Sequence, residues 1–125
     1  MSLQRNPVGW FEIYVDDMAR AQAFYENVLH VKLQPLDSPV IKMLGFPMLH
    51  DLPGCTGALV KMEGGRPTGN GVIIYFTCLD CAVEASRVPQ SGGKIFKDKF
   101  SIGQYGFISL VHDTEGNMIG LHSKE

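Results

Sequence analysis

Glu12 stands where a carboxylate is expensive. It lies inside Trp10-Phe-Glu-Ile-Tyr-Val15, a run otherwise bulky and β-prone. A carboxylate buried there without partners would cost several kcal/mol, on the order of 2–7 for a neutral polar group and more for a charge. Glu12 must therefore have a hydrogen-bond partner or access to solvent. At the other end of the chain, His122 closes the run Met118-Ile-Gly-Leu-His122. Imidazole titrates near neutral pH, and burial can raise a glutamate toward the same range. One carboxylate and one imidazole could move a proton, hold a ligand by hydrogen bonds, or serve structure alone. Two such groups fall short of the three or four protein ligands of a typical zinc site.

Other residues carry weaker signals. Cys78-Leu-Asp-Cys81 has the redox spacing and leads from a strand into a helix, where a thiol pKa can fall. Asp80 inside the motif opposes thiolate formation, and there is no second CxxC to complete a structural zinc site. The plain reading, small apolar residues where a strand leaves a sheet, is preferred. His30, His50 and His112 sit near the ends of elements and read as exposed or locally bonded. Met43, Met48 and Met62, with Phe46, either fill a core or line an adaptable apolar pocket. Gln104-Tyr105, between Gly103 and Gly106, is either a mobile loop or a hairpin turn.

These residues need elements to hold them. Trp10 to Val15 reads as a strand. Asp16 or Asp17 can cap a following helix, and apolar residues at Ala21, Phe24, Tyr25, Val28 and Leu29 predict one buried helical stripe. A second strand is expected from Val31-Lys-Leu33, then a loop-and-strand region punctuated by Pro35, Pro39, Gly45 and Pro47, a turn at Pro53-Gly54, and a strand over Gly57 to Met62. Glu63 to Gly71 holds four glycines and a proline and reads as a linker. No Gly-Lys-Ser/Thr follows it, so it is no phosphate loop. The order then recurs: a strand over Val72 to Phe76, a helix capped by Asp80 with Val83, Ala85 and Val88, a stop at Ser91-Gly-Gly, and strands at Lys94–Phe96, Phe107–Val111 and Met118–His122. The repeated order argues for an internal duplication.

Composition narrows the classes. A chain of 125 residues makes about one domain. Its formal net charge is −2, with no clustered basic face to neutralise phosphates, which argues against nucleic-acid binding. Lys94, Lys97 and Lys99 are interrupted by Asp98 and read as a solvated strand edge. No apolar run approaches the ~20 residues that span a bilayer, and the first residues carry no signal-peptide pattern. Three cysteines, odd in number and sparse, suit a reducing cytoplasm.

Val8 to Leu29 resembles the opening of the vicinal oxygen chelate superfamily, the glyoxalase/bleomycin-resistance/dioxygenase group. The strand, Asp17 ahead of the helix, and Ala23-Phe-Tyr25 followed by Val28-Leu29 carry the likeness. Asp113-Thr-Glu-Gly-Asn-Met-Ile119 matches that group's closing motif. The resemblance runs from about Pro7 to His122 and looks nearest to the glyoxalase-like branch related to lactoylglutathione lyase. It implies an α+β fold of two βαβββ modules curling round a cleft. It also implies a single domain over 7–123, with module one at about 7–62, a linker at 63–71 and module two at about 72–123, and a homodimer. Metal-dependent members take His and Glu or Gln ligands from the first and last strands of each module. Carried over position by position, these fall on Trp10, Ile73 and Gly120, with Val60 as the fourth. None of these side chains offers the oxygen, nitrogen or sulfur that a divalent ion requires.

The resemblance thus implies the fold without its usual metal, and no cofactor is expected. Two residues along the same faces lie Glu12, Met62, Tyr75 and His122. The expected site is Glu12 and His122, as catalytic or ligand-anchoring groups, with Trp10, Tyr14 and Tyr75 as aromatic walls. The first functional reading is a small-molecule protein of glyoxalase-like type, a lyase or isomerase if it is an enzyme. The second is a non-catalytic drug- or metabolite-binding protein of bleomycin-resistance type. A metal-dependent glyoxalase with shifted ligands is the third.

Overall fold

The computed structural model describes residues 5–38, 41–63 and 71–125. Pro39 and residues 64–70, most of the expected glycine linker, lie outside them. The described residues form eight strands and two α-helices of an α+β fold, in the order strand, helix and three strands, twice over. They group into two compact units. One is Trp10–Val72; the other joins the segment ending at Gly9 to Ile73–Glu125.

The first unit begins with β1 (Val8–Tyr14), most of which it contains. Then come α1 (Met18–Leu29), β2 (Gln34–Leu36), β3 (Lys42–Gly45) and β4 (Gly57–Lys61). Asp17 starts α1 as the sequence indicates: it is extended, and its carboxylate accepts from the Arg20 N–H at 3.0 Å. His30 ends the helix in the left-handed region, φ 55°. Glu26 then ties down the exit by accepting from the Leu33 N–H at 2.8 Å. That bond takes up the Leu33 N–H just ahead of β2, which starts at Gln34 rather than at the expected Val31. Parallel pairing of β1 with β4 sets Glu12 beside Ala58 and Tyr14 beside Val60. β3 runs antiparallel to both β4 and β2.

The expected stripe on α1 is not buried. Phe24, Val28 and Leu29 are 58%, 57% and 52% exposed. The half-buried positions are instead Met18, Ala21, Gln22, Tyr25 and Glu26. Tyr25 turns edge-on to Phe46, which also meets Phe11. Phe11 is therefore on the helix side of β1. Strand alternation then puts Trp10, Glu12 and Tyr14 together on the opposite face.

The second unit holds the rest of β5 (Val72–Thr77), α2 (Cys81–Arg87), β6 (Lys94–Ser101), β7 (Phe107–His112) and β8 (Met118–Ser123). β5 lies parallel to β8, and β7 runs antiparallel to β8 and β6. Asp80 caps α2, accepting from the Ala82 N–H at 3.0 Å, and it also pairs with Lys99 at 2.8 Å. Cys81, Ala85 and Val88, spaced for one helical face, pack on Val111, Leu121, Phe76, Ile95, Phe107 and Ile119. Each large apolar side chain buried there contributes about 1.5–3 kcal/mol. Val83, also in this helix, is 46% exposed. Outermost β6 is blunted by register shifts at Ile95/Lys97 and Lys97/Phe100 and by its lysines, which limit pairing with a further strand. No helix among the described residues is long and apolar enough to cross a membrane.

Candidate functional site

Glu12 is 7% exposed. Strand alternation brings its neighbours at −2 and +2 onto the same face, and both donate to it. The Tyr14 hydroxyl donates to Oε1 at 2.8 Å, and the Trp10 indole N–H donates to Oε2 at 3.3 Å. Hydrogen bonds to a charged group contribute about 1.5–3 kcal/mol each, enough to offset much of the cost of burying the carboxylate. Three of the five residues singled out in the sequence are thus one hydrogen-bonded cluster in the first unit.

Tyr75 and His122 belong to the second unit. Tyr75 pairs with Gly120, and Thr77 pairs with His122. The Tyr75 ring, 5% exposed, covers Gly120. A Cβ built on Gly120 would lie 2.9 Å from Tyr75 Cγ and nearer still to Cδ1 and Cε1. Gly120 does not have a positive φ, so the ring, and not the backbone, demands glycine there. His122 is half-buried, and its Nε2 meets the Tyr105 carbonyl at 2.6 Å. Tyr105 belongs to a short 3-10 turn, Gly103–Tyr105, between β6 and β7. Gln104 and Tyr105 both lie in this turn.

The helix caps give an internal check on which positions correspond. Glu12 lies five residues before Asp17, and Tyr75 five before Asp80. Their strand partners are Ala58 and Gly120. Ala58, rather than Val60, is thus the counterpart of Gly120, a shift of two residues from the sequence count. Trp10, Ile73, Ala58 and Gly120 all lack side-chain donor atoms suited to a cation. No group of three or more His, Cys, Asp or Glu that could hold a metal ion occurs among the described residues.

The two CxxC cysteines lie inside the second unit. Cys78 and Cys81 are buried, and Cys55 is exposed. Burial, joined by the nearby Glu84 carboxylate, pushes the Cys78 thiol up to about 12. One Glu84 oxygen is buried without a hydrogen-bond partner. The sequence pointed to Asp80 as the opposing charge, but Asp80 is spent on Lys99 and the helix cap. Two open grooves of about 460 and 360 Å³ run along Pro35–Ser38 with Ile41–Leu44, and along Glu26–Lys32, in the first unit. Neither is lined by Glu12 or by any other residue of its cluster.

No protein-family profile matches the chain. It is 27% identical over 115 residues to CFP32 of Mycobacterium bovis and of Mycobacterium tuberculosis, provisionally named a glyoxylase. That alignment covers 90% of this chain but only 43% of the relative, so the chain spans less than half the length of the curated proteins it matches. Among solved structures it is similar to a variant of Streptomyces coelicolor methylmalonyl-CoA epimerase in complex with 2-nitronate-propionyl-CoA. The TM-score is 0.69 at 16% identity, covering 94% of this chain and 96% of that one. Methylmalonyl-CoA epimerase from Mycobacterium tuberculosis gives a TM-score of 0.68 at 14% identity over 95% and 88%. The hypothetical protein BH1468 from Bacillus halodurans gives 0.73 at 16% over 94% of each chain.

Proposed function

The chain has the fold of the vicinal oxygen chelate, or glyoxalase-like, superfamily, and we propose that it uses that fold to bind and turn over a small organic ligand as a lyase or isomerase. The observation that carries this reading is the Glu12 cluster. A buried carboxylate held by an indole N–H and a phenol O–H on one strand face is a poor device for stability, because apolar side chains of similar volume would do as well. It is a good device for fixing one carboxylate oxygen pair toward a ligand proton. His122 would be the second group able to accept a proton, and the ligand-facing aromatic residues would be Trp10 and Tyr14 in the first unit and Tyr75 in the second.

Trp10, Ala58, Ile73 and Gly120, at the positions where metal-dependent members of the superfamily take their ligands, offer no donor atom that fits a divalent ion. Glu12 would accept or deliver a proton at a carboxylate oxygen. Tyr14 and Trp10 would hold that oxygen pair in place and share its charge. His122, in the second unit, would accept a hydrogen bond or proton from a ligand. A homodimer in a reducing cytoplasm suits the resemblance and the three free thiols; light scattering on the purified chain would test the dimer.

Turnover and binding should be measured on thiol adducts of glutathione and CoA thioesters of small acids. Glu12→Gln and His122→Ala should each lower turnover by about 10²–10⁴-fold, the usual worth of a positioned acid or base, while the fold persists. Unchanged turnover in both would sink the proposal. A second reading, sequestration of bleomycin-resistance type, is favoured by the Tyr75 ring packed on Gly120, a position that carries no side chain able to ligate a metal. It would show tight binding of a ligand recovered chemically unchanged.

A further inference from the structure

The Tyr105 carbonyl has one chemical consequence for His122. A carbonyl oxygen can only accept a hydrogen bond. The 2.6 Å contact with Nε2 therefore requires the proton to be on Nε2. In the neutral ring, Nδ1 is then the only nitrogen left with a lone pair. We propose that the β6–β7 turn is a positioning device that fixes the working atom of His122: Tyr105 holds the proton on Nε2, and Nδ1 is the atom that accepts a proton or hydrogen bond from the ligand. This deepens the functional reading above and rests on it for the ligand, but the assignment of the ring atoms stands by itself.

The turn is built to present that carbonyl. Gly103, at φ 81°, and Gly106, at φ 106°, occupy backbone conformations that L side chains rarely adopt. The Gly106 N–H donates to the Gly103 carbonyl at 3.1 Å, and the Ile102 N–H donates to the Gly106 carbonyl at 2.9 Å. The Ser101 hydroxyl accepts from the Gly103 N–H at 3.2 Å. The turn also rests directly on the end of β8. A Cβ on Gly106 would meet the Ser123 carbonyl oxygen and lie 3.2 Å from Lys124 Cα. Position 106 therefore seats the turn one residue beyond His122, and the Tyr105 carbonyl between them is brought to the ring. Ile108, paired with His122 across β7 and β8, continues the same register.

The test is nitrogen NMR of the histidine rings in the full, uniformly labelled chain, at a pH where His122 is neutral. The expected result is one tautomer, with Nε2 protonated and Nδ1 bare. Gly106→Ala should displace the carbonyl and raise the minor tautomer, releasing a bias of about tenfold, the effect of one ordinary hydrogen bond. Should Gly106→Ala fail to fold, Gly103→Ala perturbs the same turn through backbone strain alone, since its Cβ would meet open space. His122→Gln, whose amide nitrogen reaches the Nε2 position, should leave the amide shifts of Gln104 and Gly106 close to wild type. His122→Asn should move them. A ring protonated on Nδ1, or a tautomer ratio unchanged when either glycine variant has moved the turn amides, overturns the inference. The expected tautomer together with full ligand binding by His122→Ala would leave the ring assignment standing and remove His122 from the proposed site.

Discussion

Replacing Gly120 with alanine adds one methyl group directly under the Tyr75 ring. The added carbon would sit 2.9 Å from Cγ and closer to two other ring atoms, where ordinary carbon contacts lie at about 3.5–4.0 Å. The ring is 5% exposed and so must push into packed neighbours by roughly 1 Å. Overpacking of this kind costs about 1–3 kcal/mol. Gly120 is not in a left-handed conformation, so alanine also gains about 0.4–1 kcal/mol by restricting the unfolded chain. The net expectation is a loss of about 1–2 kcal/mol. Removing the ring should reverse the sign: in a Tyr75→Ala background, itself destabilised by about 3–5 kcal/mol, Gly120→Ala should be neutral or mildly stabilising. The assay is urea unfolding of the wild type, both single variants and the double variant, read as a thermodynamic cycle. A coupling energy near zero, or a stabilising Gly120→Ala in the wild-type background, would refute the claim that the ring is what holds this position to glycine.

Glu12→Leu should destabilise by about 2–4 kcal/mol, because it removes the acceptor of the Tyr14 hydroxyl and the Trp10 N–H. The triple variant Trp10→Phe, Glu12→Leu, Tyr14→Phe should recover most of that loss; a triple variant as unstable as the single one would mean that the cluster serves the fold. In native protein, thiol alkylation followed by mass spectrometry should label exposed Cys55 well before Cys78 and Cys81. Because the Cys78 thiol is raised from 9.0 to about 12, the unfolded chain ionises first. Its contribution to stability is present below pH ~9 and is lost as pH rises from there toward ~12. Chemical denaturation at stepped pH should show that decline, and Cys78→Ala should flatten it. Asp80 behaves in the opposite sense. Its carboxyl is lowered by Lys99 and by the Ala82 N–H, so its stabilising effect is present at neutral pH and fades as acid protonates it. Lys99→Met should weaken that acid dependence.

Signals that act over a few residues were legible in the sequence. Asp17 and Asp80 cap their helices because an N-cap needs only its own carboxylate and the next turn of backbone. The partners of Glu12 follow from the period of a strand, which puts residues two apart on one face. The solvent exposure of Phe24, Val28 and Leu29 was not legible. Helical spacing says which residues share a face, but not whether another element covers that face. The same limit applies to Tyr75 over Gly120 and to Tyr105 against His122. Each joins residues 17 or more apart, and each depends on strand register, which pairs Glu12 with Ala58 where counting from the closing motif indicated Val60. Glu84 was invisible as the neighbour of Cys78 for a related reason: Asp80 is nearer in sequence, but a helical turn carries Glu84 to the thiol while Lys99 draws Asp80 away.

Under the proposed function, proton exchange on a ligand needs Glu12 and His122 and needs no divalent ion. The most direct measurement is incorporation of solvent deuterium into glutathione adducts and CoA thioesters of small acids by chelator-treated protein. The expected result is exchange at an acidic carbon by the wild type, unaffected by the chelator and reduced about 10²-fold or more in Glu12→Gln. Exchange that appears only when a divalent metal is added, or that persists in full in Glu12→Gln and His122→Ala, would contradict it.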